Sequence, residues 1–152
     1  MKMTRCVLAS VLLAAGVWAP AFAGLGGDAT SVDADRVSVK GTVRITASAN
    51  AAFAVHEITS ASGMRIQEYL GADGKVFAVS WRGPGVPDLG QMLGSYYPLA
   101  QQAAAGPHYN HHHLSVATRD VVVQSSGHAR SFYGRAWAPA LLPQNFSVKD
   151  IR

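Results

Sequence analysis

The sequence predicts a single α+β domain, an antiparallel sheet of about five to six strands with one main helix packed on it. Two observations carry that reading. Period-two alternation of apolar residues recurs on both sides of one stretch with helical spacing. The segments between are short and rich in glycine, serine and proline, as tight connections require.

The first β pattern begins at Phe53. Phe53, Val55 and Glu57 alternate with Ala54, His56 and Ile58. Ser60-Ala61-Ser62-Gly63 makes a turn, and Met64, Ile66, Glu68 and Leu70 alternate again, so 53–70 reads as a hairpin. Gly71-Ala72-Asp73-Gly74 is a second turn. The stretch 75–81 (KVFAVSW) is apolar enough for a central strand.

Gly83-Pro84-Gly85-Val86-Pro87 stops the sheet. Pro87 suits a first helical turn, and Asp88 suits the positive end of a helix. Leu89, Met92, Leu93 and Tyr96 fall at i, i+3, i+4 and i+7, one apolar helix face over 87–97. Pro98 should end or kink this helix, with 99–105 as a second short helical piece closed by Gly106-Pro107.

The last third returns to β. Leu114, Val116 and Thr118 alternate, Val121-Val122-Val123 is β-branched, Ser125-Ser126-Gly127 reads as a turn, and 132–137 forms a further strand ended by Pro139 and Pro143. The order is βββ-α-ββ or βββ-α-βββ.

The N-terminus has a different character. Lys2 and Arg5 precede an uncharged, mostly apolar run from Cys6 to Trp18, then Pro20 and Ala21-Phe22-Ala23. This is the three-part order of a cleavable signal peptide, residues 1–23. The run is shorter than the roughly 18–20 residues that span a bilayer. Cys6 is the sole cysteine and precedes the cleavage point, so the exported part has no disulfide and no lipid attachment. That part, 24–152, is the length of one domain. Residues 24–50 carry few large apolar groups, and the composition predicts a flexible or weakly structured segment before an α+β domain over 51–152. Within it, Thr30 and Asp33 could cap a short helix ending near Gly41, while 37–46 reads almost equally well as a strand.

The charge pattern narrows the partners. The formal charge of +4 includes Lys2 and Arg5, so the exported part carries eleven basic and nine acidic residues. Lysines and arginines are scattered singly, without a nucleic-acid patch. No second long apolar run remains to span a membrane.

Four histidines crowd one loop: His108, His111, His112 and His113. In an extended chain His111 and His113 share a face, and His108 could reach back across the loop, so His108, His111 and His113 form a candidate zinc, copper or nickel site. A structural zinc site needs four ligands, and a solvated polar loop explains the same residues. His56-Glu57 resembles the start of a zinc-protease helix, but position 60 is Ser60 and the segment reads as strand. No serine stands in a G-x-S-x-G elbow, and no carboxylates form an evident acid–base pair. Gly83-Pro84-Gly85 lacks the lysine of a phosphate cradle, and Asn145-Phe146-Ser147 matches a glycosylation sequon.

Trp81-Arg82-Gly83-Pro84 is the most distinctive surface candidate. A tryptophan and arginine at a strand end can stack on a ligand, and Tyr96, Tyr97, Tyr133 and Trp137 could extend the surface. The competing expectation places Trp81 and Trp137 in the core beneath the helix.

Several stretches resemble a known family. They are 65–69 (RIQEY), 74–84 (GKVFAVSWRGP), Pro87-Asp88-Leu89, 93–96 (LGSY), Ser125-Ser126-Gly127-His128 and Gly134-Arg135-Ala136-Trp137. Together they resemble a domain-of-unknown-function family of small exported proteobacterial proteins with a V-F-A-V-x-W-x-G-P motif. The resemblance spans about 24–152 and implies a periplasmic or secreted home. It supplies no activity, cofactor or catalytic residue, and the histidine run lies outside its pattern.

The expectation that follows is an exported, non-enzymatic accessory protein. It binds another protein or an envelope component through Trp81, Arg82, Tyr96, Tyr133 and Trp137. The alternatives are a divalent-metal binder using the histidine cluster and a small hydrolase with a dispersed site, marked by His128 or His56 beside a serine or carboxylate.

Overall fold

Seven antiparallel strands form one sheet in the computed structural model, which describes residues 24–28, 42–47, 53–105 and 113–152. The strands are β1 (Thr42–Ala47), β2 (Phe53–Thr59), β3 (Arg65–Gly71), β4 (Val76–Gly83), β5 (His113–Ala117), β6 (Val122–His128) and β7 (Ser131–Trp137), in spatial order β1-β2-β3-β4-β7-β6-β5. The helical layer between β4 and β5 is α1 (Leu89–Leu93), a 3-10 turn (Gly94–Tyr96) and α2 (Tyr97–Ala104). The predicted α+β class is the observed one, with β1 as the added strand. The expected signal peptide and the capped helix over 30–41 lie outside the described residues.

Local chemistry sets the hairpins. Gly63 (φ 83°) and Gly74 (φ 75°) take left-handed conformations at the two predicted turns, and the Asp73 carboxylate accepts from the Lys75 N–H at 3.1 Å. The helix starts at Asp88, whose carboxylate accepts from the Gln91 N–H at 3.1 Å, so Pro87 stands before the cap instead of inside the first turn. Pro98 breaks the helix as expected and occupies the first turn of α2, where its missing N–H costs nothing.

The two faces of the sheet follow from strand alternation and register. On the helix side lie Ile66, Val79, Trp81, Val116, Val123 and Ala136, packed with Met92, Leu93 and Ala100. The face Leu89, Met92, Leu93 and Tyr96 meets this core, with Met92 and Leu93 buried. The opposite face holds an aromatic cluster at one end: Phe53, Tyr69, Phe77 and Phe146, with Phe77 and Phe146 centroids 4.8 Å apart and near edge-to-face. Strict alternation from Ala78 would send Phe77 to the helix side. A bulge where Tyr69 pairs with Ala78 but Leu70 pairs with Val76 turns it into the aromatic cluster instead.

Two sequence expectations are corrected. Residues 24–28 are docked, not loose. The Leu25 N–H donates to the Met92 carbonyl at 3.0 Å, Gly26 and Gly27 bond both backbone groups of Val76, and the Leu25 side chain is 1% exposed. One fully buried leucine anchors a stretch that composition rates as poor in core. Gly24 (φ 153°) permits that docking, because a Cβ there would meet the Gln91 carbonyl at 2.5 Å.

The second correction concerns Ser125-Ser126-Gly127, which is not a turn. These residues pair with Gly134, Tyr133 and Phe132 inside β6, and the chain reverses at 129–130, where Arg130 has φ 65°. Their small size answers large neighbours. The Trp81 indole lies over Gly134, next to Ser125 in the cross-strand line, and Phe132 lies over Gly127.

Candidate functional site

The open face of the sheet is crossed by two adjacent polar lines of side chains. Register places Arg44, Glu57, Gln67, Ser80, Arg135, Gln124 and Ser115 in one line from β1 to β5. The next line toward the strand ends is Thr59, Arg65, Arg82, Tyr133, Ser126 and His113. A third line, Val55, Tyr69, Ala78, Trp137 and Val122, is apolar and belongs to the aromatic end.

The C-terminal segment covers the apolar line and part of the first polar one. Ile151 is buried against Tyr69, Ala78 and Trp137. The Arg152 N–H donates to the Tyr69 hydroxyl at 3.0 Å, and the Ser80 hydroxyl donates to the Arg152 main-chain oxygen at 2.6 Å. Arg135 donates to the Val148 carbonyl at 3.0 Å and to the Gln124 side-chain oxygen at 2.9 Å, with its guanidinium 5.6 Å from the Trp137 ring centroid. These bonds tie Arg135 to the strap and to β6.

Beside this strap is a cavity of about 790 Å³, lined by Arg82, His113, Gln124, Ser126, Tyr133, Arg135 and Arg152 among others. Two smaller hollows continue it across the same face, of about 400 Å³ around Arg65, Gln67, Ser80, Arg82 and Arg152, and about 380 Å³ around Arg44, Glu57 and Tyr69. Five arginine side chains line the three hollows against two carboxylate side chains, Glu57 and Asp150. Linear sequence hides this excess, because the five arginines come from five separate segments.

The structure brings some of the predicted site residues together and parts others. Arg82 pairs directly opposite Tyr133, and both are exposed on the open face, Tyr133 at 49%. Trp81 points the other way into the helix-side core, 2% exposed, although it is among the residues that border the cavity. Its indole N–H has no hydrogen-bond partner among the described residues. Trp137 lies on the open face but is covered at the aromatic end, and Tyr96 packs in the helical layer beside Gly26. His113 stands exposed at the cavity's edge on β5. His108 and His111 lie outside the described residues, and among those described no three of His, Cys, Asp and Glu gather around one point.

Sequence reasoning missed Arg65, Arg135 and Gln124. Their only signal was their parity with Arg82 and Tyr133 once strand register is known.

A smaller hollow of about 230 Å³ opens on the helix side, lined by Ser60, Met64, Glu68, Asp88 and Gln91 among others. Glu68 is 1% exposed, and its cross-strand partner is His56.

The fold and site define a two-layer α+β domain with a covered helix side and a cationic groove on the open side of its sheet. The chain belongs to the family described as Protein of unknown function (DUF2844), whose model matches residues 21–151. Comparison with curated proteins and with solved structures found no match. Among the described residues no helix is long and apolar enough to cross a membrane.

Proposed function

We propose that this protein is an exported, non-enzymatic binding protein that takes its partner on the open face of the sheet, beside the C-terminal strap. One observation carries the reading. Register sets Arg82 and Tyr133 side by side on the border of a 790 Å³ cavity, on the face turned away from α1 and α2. An exposed arginine–tyrosine pair beside a concave polar surface is the composition of a recognition site. The test places a photo-crosslinking residue at Tyr133 in cells expressing the full chain, with a control at the exposed β3–β4 turn residue Ala72. A discrete adduct at 133 and none at 72 is expected. Absence of an adduct at 133 overturns the reading.

The hydrolase alternative draws on the cross-strand pairing of His56 with Glu68, a buried carboxylate in the wall of the 230 Å³ hollow. It requires ester or amide hydrolysis that disappears on Glu68→Gln in a variant that still folds. Lack of turnover on a panel of chromogenic esters and peptides removes it.

A further inference from the structure

We infer that the open-face groove binds an acidic polysaccharide, a chain of sugars carrying carboxylates. This rests on the proposed role of that face and names the chemistry of its ligand.

Arg65 and Arg82 are directly opposed on adjacent strands, and both side chains are exposed. Like charges in that position oppose sheet formation. Among the described residues only one side-chain carboxylate pairs with either arginine, Glu57 at 4.0 Å from Arg65, and the Arg82 side chain has no ion-pair or hydrogen-bond partner. The fold thus keeps two guanidinium forks side by side with a single long internal pairing, from Arg65 to Glu57. Such forks match carboxylates in paired geometry.

The neighbours in this line and the adjacent polar line suit a sugar. Tyr133 offers a half-exposed ring face for the C–H side of a pyranose, and Ser126 and Gln124 offer hydroxyl and amide groups to its hydroxyls. From Arg65 to His113 the line crosses four strand-to-strand steps, about 19 Å at the usual strand spacing, so it accepts an extended chain rather than one small anion. A membrane surface fits poorly, because none of the aliphatic side chains lining the groove is exposed enough to insert into lipid.

The experiment is a calorimetric titration of protein purified from cells expressing the full chain with a galacturonate oligomer at low ionic strength. A neutral galactan oligomer, polyphosphate and phosphatidylglycerol vesicles serve as comparison ligands. Galacturonate should bind, weaken with added salt, and exceed the other three. The double variant Arg65→Gln/Arg82→Gln should lose about tenfold in affinity, the product of two exposed ion pairs. It should melt at the same or a slightly higher temperature, since the opposed charges are gone. Tyr133→Ala should also weaken binding. No galacturonate binding, equal binding by neutral galactan, stronger binding to polyphosphate or vesicles, or undiminished binding by the folded double variant overturns the inference. A protease-sensitive adduct at position 133 with no galacturonate binding would retain the binding role and reject the glycan.

Discussion

The two faces of the sheet are made from the same strands yet do opposite things. The helix side is mostly apolar, with Glu68 its buried polar exception, and Leu25, Val79, Trp81, Leu93 and Val123 are almost fully buried. The open side is apolar only where the C-terminal segment crosses it, and its outer line ends in Arg65, Arg82, Tyr133 and His113, all exposed. Buried neighbours offset the ordering of their side chains by leaving water. The outer line has no such return, so its composition is free to serve a ligand.

Mutations should separate the faces by size of effect. Leu25→Ala on the helix side should cost about 3 kcal/mol, lowering the melting midpoint by roughly 10 °C. A loss near zero would mean that 24–28 are not part of the folding unit. Gly134→Ala comes next, at about 1–3 kcal/mol, because its Cβ would stand 2.3 Å from the Trp81 ring and 2.7 Å from the Gln124 carbonyl. Denaturant titration with unchanged slope would confirm a pure stability effect.

Tyr69→Phe removes the hydroxyl that accepts from the Arg152 N–H and should cost about 1 kcal/mol. Faster hydrogen exchange confined to 148–152 would show that this bond holds the strap. Arg82→Gln is the smallest, within about 0.5 kcal/mol of wild type. If it destabilised as much as Leu25→Ala, the open face would be structural and the comparison would fail.

Much of the fold was legible because its signals are local. The 53–70 hairpin, the central apolar strand and the helix face of Leu89, Met92, Leu93 and Tyr96 each show their own period, and each forms close to its expected place. The failures came where small residues have two explanations. Ser125-Ser126-Gly127 has the composition of a turn, but the residues are small because Trp81 and Phe132 occupy the neighbouring space. Leu25 looked isolated because Met92, which its N–H bonds, and Val76, which Gly26 and Gly27 bond, are far along the chain.

The candidate site was legible only in fragments. Arg82 and Tyr133 stood out in the sequence, while their separation from Trp81 follows from adjacent residues in a strand facing opposite ways.

By itself the sequence determined the α+β class, the hairpins, the broken helix and the leader-like N-terminal pattern, because periodicity, turn residues and charge order act over a few residues. Tertiary structure alone decided that five dispersed arginines share one surface, that residues 24–28 are anchored, and that the C-terminal segment covers part of a sheet face. Those facts depend on which strands become neighbours and in what register, and pairing between distant segments leaves no local period to read.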